Sequence, residues 1–404
     1  MQYIAGGVCA PKGFKAAGVH CGIRRNRSKY DLALIVSDEM ASAAAVYTQN
    51  LVKGAPILVT QKHLENGYAR AVIVNSGNAN TCNANGIEIA EGMCALVREY
   101  TGIREEDVAV ASTGVIGQPL SLQPISDGMQ SLVDALSPDG SVDAANAIMT
   151  TDTLLKQFAV EFEVDGVLCS IGGIAKGSGM IHPNMATMLA FLTTDCAISP
   201  EMLREALLED VQDSFNMVSV DGDTSTNDMA LILANGLAGN TPIEKKNADY
   251  AAFRAGLRAV TQMLARAIAK DGEGATKLIV SKVVGAKDKQ TARTVAKSVI
   301  CSNLFKAAMF GADANWGRVL CAIGYSGADV DVNKIDVSFS SEAGSVAVCS
   351  NGAGIPFSEE MASKVLAPNE IRVLIDLCDG EEEATAWGCD LTYDYVKING
   401  DYRT

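Results

Sequence analysis

Apolar positions along the chain fall into two rhythms. Short runs, Leu32–Val36, Pro56–Val59, Ala71–Val74, Val108–Ala111, Leu231–Ala234, Leu278–Val284, Ile335–Phe339 and Ile371–Leu377, predict strands. Longer stretches with apolar residues every three or four positions predict helices over Ile89–Glu99, Met202–Phe215 and Tyr250–Ala269. In the last of these, Phe253, Leu257, Val260, Met263, Leu264 and Ile268 share one side, and Gly272 just beyond fits a helix stop. Phe158–Val164 and Val167–Ile171 flank Asp165-Gly166, a hairpin signature. Strands and helices do not alternate strictly, so the pattern predicts an α+β protein with substantial antiparallel sheet rather than a doubly wound one. No repeat or low-complexity linker divides the chain; the candidate boundaries lie near Ser137–Ser141 and Gly239–Thr241.

Composition narrows the function classes. The 404 residues carry a formal net charge of −15, which disfavours nucleic acid and anionic membranes as partners. No apolar run reaches the roughly 20 residues that span a bilayer. The stretch Met1–Lys15 lacks the long apolar segment of a secretory signal, so the expected compartment is the cytoplasm. The 11 cysteines are scattered from Cys9 to Cys389 without a CxxC pair, and the expectation is buried, reduced thiols, as for Cys321 in its apolar run. With three histidines and no HExxH, no transition-metal site is expected.

The segment from Lys176 to Leu192 begins as a loop, with Gly177, Gly179 and Pro183, and ends in the apolar run Met188–Leu192. Thr187 stands where the loop enters that run. A threonine hydroxyl is a weak nucleophile that needs a base within hydrogen-bond reach. The chain holds only His20, His63 and His182 and has no GxSxG elbow. If the bond before Thr187 were cut, the freed α-amine, with an ordinary pKa of about 7.7–8.0, would serve as that base. Read locally, Thr187 is equally a plain strand residue. The order Lys176-Gly-Ser-Gly does not match a phosphate-binding GxxxxGK[ST] loop.

Other polar clusters leave alternatives open. A strand ending in Thr113-Gly114 can aim a hydroxyl and a backbone N–H at one point, as an oxyanion hole requires, or it can be an ordinary strand exit. Asn75, Asn78 and Asn80 either cap turns or line a pocket. Asp221, Asp223 and Asn227 resemble calcium donors, but Ile232 stands where an EF-hand loop needs glutamate. Glu273, between two glycines, is either a solvated turn residue or a carboxylate for a substrate ammonium.

Taken together, these blocks resemble the ornithine acetyltransferase (glutamate N-acetyltransferase) family of arginine biosynthesis, nearly end to end. The blocks are Gly6-Gly7-Val8, Val74 to Asn80, Ser112 to Gly117, Met149-Thr-Thr-Asp-Thr, Lys176 to Leu189, Val220 to Asp228, Asp271 to Lys277 and the closing Asn399 to Thr404. The tail departs slightly at Gly400-Asp401. The resemblance implies helices outside packed, largely antiparallel β-sheets. It implies self-cleavage at Ala186–Thr187 into an α chain, residues 1–186, and a β chain, residues 187–404, assembled as α2β2. It further implies Thr187 as nucleophile with its α-amine as base, and Thr113 and Gly114 as oxyanion donors. Thr150, Lys176, Thr187, Glu273, Asn399 and Thr404 would contact substrate, the threonine within 150–153 being left open with Thr150 favoured. The implied reaction moves acetyl from N2-acetylornithine to glutamate with no cofactor. Whether acetyl-CoA is a further donor stays open. A related amidohydrolase that passes the acyl group to water, and a non-catalytic binding protein, are the alternatives.

Overall fold

The computed structural model describes residues 1–182 and 188–401. Its strands, in chain order, are β1 (Gln2–Ile4), β2 (Phe14–Val19), β3 (Leu32–Tyr47), β4 (Tyr68–Asn78), β5 (Val108–Val115), β6 (Lys156–Val164), β7 (Val167–Lys176), β8 (Leu189–Thr194), β9 (Val218–Ser219), β10 (Met229–Ala234), β11 (Leu278–Ala286), β12 (Asp336–Ser341), β13 (Gly344–Ser350), β14 (Ala353–Gly354), β15 (Glu370–Asp376) and β16 (Glu382–Cys389). They form two mixed, mostly antiparallel sheets, giving the α+β class that the patterning predicts. The chain divides into two compact units. The first comprises 1–177, 183–216 and 224–264; the second comprises 178–182, 217–223 and 265–404.

The first unit holds a nine-stranded sheet ordered β1-β6-β7-β8-β10-β3-β4-β5, with β2 alongside β3. Side chains alternate across a strand, and here both faces are apolar. Ala33, Ile35, Val72, Val74, Ala109 and Ala111 face a core shared with the helix Ser141–Ile148. Leu32, Leu34, Ala71, Ile73, Val108 and Val110 face a core shared with the helices Gly86–Thr101 and Gln123–Asp134. Each fully buried Leu or Ile of such a layer contributes about 1.5–3 kcal/mol. A polar side chain at the sheet's buried ends is therefore costly unless partnered. The hairpin forms as predicted: Val164 pairs with Val167, and Asp165 and Gly166 both take positive φ, as a two-residue primed turn requires.

The second unit holds a seven-stranded sheet ordered β14-β13-β12-β15-β11-β16-β9. The helix Lys289–Cys301 packs on β11 and β16, and Glu359–Leu366 on β12 and β13. Among the described residues no helix is long and apolar enough to cross a membrane.

Four expectations need correction. Pro56–Val59 lies in the helix Ala55–His63: Pro56 occupies its first turn, where a missing N–H costs nothing, and a four-residue apolar run carries no period. The helix starting at Pro200, capped by Ser199, ends at Asp210 rather than Phe215, and Ser214 then bonds back to the Asp210 carbonyl. Ser137–Ser141 and Gly239–Thr241 are not boundaries. Ser137 exchanges backbone hydrogen bonds with Ala16, and Asn240 accepts from the Ala197 N–H, all inside the first unit. Of the 11 cysteines, only five are buried; Cys82, Cys321 and Cys378 are exposed. Cys321 turns outward because its run is the amphipathic helix Trp316–Gly324, whose other side carries Val319, Ala322 and Ile323.

Candidate functional site

The parallel strands β4 and β5 are pinched at their ends. Ser76 pairs with Thr113 and Gly77 with Gly114, and the register breaks at Asn78. Gly114 has φ +133°, and a Cβ there would lie 2.3 Å from the Gly77 carbonyl carbon and 2.5 Å from the Asn78 nitrogen. No other residue fits this backbone approach. Buried amides lock the pinch. The Ser112 hydroxyl donates to Asn75 Oδ1 at 2.6 Å, and Asn75 Nδ2 donates to the Asn78 carbonyl at 2.9 Å. Asn227 Nδ2 donates to the Ala79 carbonyl at 2.6 Å and the Ser112 carbonyl at 3.0 Å, while its Oδ1 accepts from Thr81 and Thr226, each at 2.6 Å. Thr113, half-buried, thus sits on a backbone fixed from both sides. Donors held this rigidly can stabilise developing negative charge without reorganising. Asn75 and Asn78 serve the turn, and Asn80 braces the helix after it by donating to the Gly86 carbonyl.

At the end of β7, Lys176 belongs to a buried charge cluster. Asp152 Oδ1 accepts from Lys156 Nζ at 2.8 Å and the Gly177 N–H at 2.7 Å. Its Oδ2 accepts from the Thr150 N–H at 2.9 Å and lies 3.9 Å from Lys176 Nζ. Burial opposes the charge of Asp152, but Lys176 and Lys156 outweigh it and hold the carboxyl well below the usual carboxylate range. The Lys176 ammonium, 3.9 Å from Asp152, can also offer its positive charge to a substrate carboxylate. Asp152→Asn removes the shared anion and leaves two buried ammonium groups. We expect a loss of about 3–5 kcal/mol of stability, read from the denaturant midpoint; an unchanged midpoint contradicts the assignment. Because the folded pKa is depressed, the wild-type contribution is present above the ordinary carboxylate pKa and is lost as pH falls through the folded value.

In the second unit, Glu273 is not a solvated turn residue. It is buried, its Oε2 accepts from Asn399 Nδ2 at 2.8 Å, and its N–H donates to the Ser178 carbonyl. A Cβ at Gly179 would strike the Glu273 carboxyl at 2.3 Å, so glycine permits this contact. Asp221 accepts from the Met180 and Ile181 N–H groups and from the Tyr395 hydroxyl, bracing a turn. Among the described residues no group of His, Cys, Asp and Glu is arranged to hold a metal ion.

Thr113, Gly114, Thr150 and Lys176 therefore lie in the first unit, and Glu273 and Asn399 in the second. Ala186, Thr187 and Thr404 lie outside the described residues. Sequence reasoning missed Asp152, Lys156, Asn227 and Asp228. Asp152 stands inside the Met149-Thr-Thr-Asp-Thr block, and Asn227 and Asp228 inside the Val220 to Asp228 block, whose acceptors resemble calcium donors but lack the glutamate of such a loop, so neither receives a site role.

Comparison with known proteins gives a consistent result. The profile of the ArgJ family matches residues 15–404. The arginine biosynthesis bifunctional protein ArgJ of Symbiobacterium thermophilum is 54% identical over 406 residues, covering 100% of both chains. The protein of the same name from Caldanaerobacter subterraneus subsp. tengcongensis is 51% identical over 405 residues, again covering 100% of both. The crystal structure of arginine biosynthesis bifunctional protein argJ from Bacillus halodurans matches with 44% identity and a TM-score of 0.50. That match covers 52% of this chain and 97% of the other.

Proposed function

The chain belongs to the ArgJ family of N-acyltransferases of arginine biosynthesis, and from that premise we propose that it transfers the acetyl group of N2-acetylornithine to glutamate through an acetyl-Thr187 intermediate. The observation that carries this reading is the pinch at Thr113 and Gly114, in a chain 54% identical end to end to a bifunctional ArgJ protein. The proposal includes cleavage at Ala186–Thr187 into residues 1–186 and 187–404, paired as α2β2; that nearly all of the Bacillus halodurans chain matches about half of this one fits a chain made of two pieces. The enzyme works in the cytoplasm.

The Thr187 oxygen attacks the acetyl carbonyl while its α-amine takes the hydroxyl proton. The Thr113 hydroxyl and the Gly114 N–H hold the oxyanion. On collapse, the C–N bond breaks and the ornithine nitrogen takes that proton, leaving an acetyl ester on Thr187. The glutamate amine then attacks the ester, and threonine leaves with its proton restored. Lys176 is assigned a substrate carboxylate and Glu273, with Asn399, a substrate ammonium group; Thr150 and Thr404 are assigned further substrate contacts. The cycle calls for no metal or nucleotide, and acetyl-CoA serves as a second donor, which fits the word bifunctional in the relatives' names.

Incubating the purified enzyme with glutamate and either acetylornithine or acetyl-CoA tests the reading. We expect N-acetylglutamate from both donors. Product from acetylornithine alone would remove the second donor, and acetate release unaffected by glutamate would make the protein a hydrolase.

A further inference from the structure

Among the described buried side chains, two carboxyl oxygens lack a hydrogen-bond partner: Oδ1 of Asp210 and Oδ2 of Asp228. Asp210 has the Arg258 guanidinium 3.6 Å away. Asp228 is 4% exposed and forms no ion pair with a described cation, although Ser225 and Lys176 both act on its carboxyl. A buried acceptor left in that state costs about 1–3 kcal/mol. Such a cost persists in a fold when the group has another use.

Its position suggests the use. Asp228 immediately precedes β10. The Met229 N–H donates to the Met188 carbonyl, and Met229 pairs in parallel with Leu189. Asp228 therefore stands beside Met188 in the register, and Met188 is covalently joined to Thr187. The neighbouring Asn227 ties the same segment to the Ser112 carbonyl, one residue before Thr113. One three-residue stretch thus reaches both the oxyanion strand and the start of β8.

We propose that Asp228 is the positioning residue for the Thr187 α-amine, its Oδ2 accepting a hydrogen bond from that amine once cleavage has created it. This rests on the reading of Thr187 given above. Before cleavage position 187 carries an amide N–H; afterwards it carries an amine whose lone pair must face its own hydroxyl. An acceptor on the adjacent strand fixes that orientation and stabilises the ammonium formed as the hydroxyl proton moves. The charged and titratable groups around Asp228 are Lys176 from β7, with Asp152 and Lys156 next to it, and Tyr47 from β3, which pairs with Met229. Burial pushes the Asp228 carboxyl well above its ordinary range, against the opposing pull of Ser225 and Lys176.

The test uses the full chain carrying Asp228→Asn or Asp228→Glu, checked for folding and for cleavage before Thr187. The Asn variant is expected to be folded and cut, with kcat reduced about 100-fold and KM for both substrates changed less than about twofold. Losing the carboxyl also destabilises the ammonium and lowers the amine's pKa. The acid limb of the kcat profile should therefore move to lower pH. The Glu variant should fall between Asn and wild type in both respects. A folded, cut Asn variant with wild-type kcat and acid limb overturns the proposal, and so does one that folds but stays a single chain, which would place Asp228 in self-cleavage. If the Asn variant does not fold, the Glu variant decides: a displaced acid limb supports the role and a wild-type profile rejects it. A wild-type chain that turns over without being cut would instead defeat the reading of Thr187, leaving Asp228 without an amine to position.

Discussion

Thr187→Ala should remain a single chain of 404 residues and lose acetyl transfer. One oxygen is asked to do two jobs: to open the Ala186–Thr187 bond and then to carry the acetyl group. Removing it also prevents the α-amine from being released, so nucleophile and base vanish together. When nucleophile and base act as a unit, losing one costs nearly as much as losing both, and a fall of about 10⁴-fold or more is expected. Thr187→Ser keeps the oxygen and should be cut and active. A denaturing gel and the transfer assay read both effects. A Thr187→Ala chain that appears as two fragments, or that transfers acetyl, contradicts the assignment.

The second large effect is expected at Gly114. An alanine Cβ would press to 2.3 Å from the Gly77 carbonyl carbon, at a φ of +133° that side chains rarely tolerate. The pinch must open, and the Gly114 N–H then leaves the point it shares with Thr113. Loss of one oxyanion donor costs about 100- to 1,000-fold in kcat. The fold should survive, because Val108–Ala111 upstream are buried on both sheet faces. Gly117→Ala is the control. Gly117 also has positive φ, +75°, but a Cβ there would touch nothing within 4 Å. If Gly114→Ala and Gly117→Ala lower kcat equally, backbone strain rather than the close approach is responsible.

Much of this site is legible in the sequence, for physical reasons that differ by residue. Thr113-Gly114 reads from its place at the end of an apolar run, and the structure puts it at the end of β5 beside Gly77. Lys176 reads only through the resemblance of its block to the family, because Lys176-Gly-Ser-Gly alone matches no phosphate-binding loop. Asp152 does not, because its role is to sit between Lys156 and Lys176, a spacing that only the β6–β7 hairpin creates. Asp228 and Asn227 were hidden differently. A run of acceptors looks the same whether it binds a cation or satisfies backbone groups, and only burial separates the two. Glu273 between glycines looks solvated, yet the glycine that matters for it is Gly179, 94 positions earlier and in contact with its carboxyl. Pro56–Val59 reads as a strand because so short an apolar run has no period, and the mark of the helix Ala55–His63 is Pro56 in its first turn.

The central claim is that Thr187 carries the acetyl group. Its most direct test is the mass of the protein after incubation with acetylornithine and without glutamate, followed by peptide sequencing. The account predicts a chain beginning at Thr187 that gains one acetyl group on that residue's side-chain oxygen and loses it when glutamate is added. A chain that stays unacetylated while acetylornithine is consumed, or an acetyl group fixed on another residue, would contradict it.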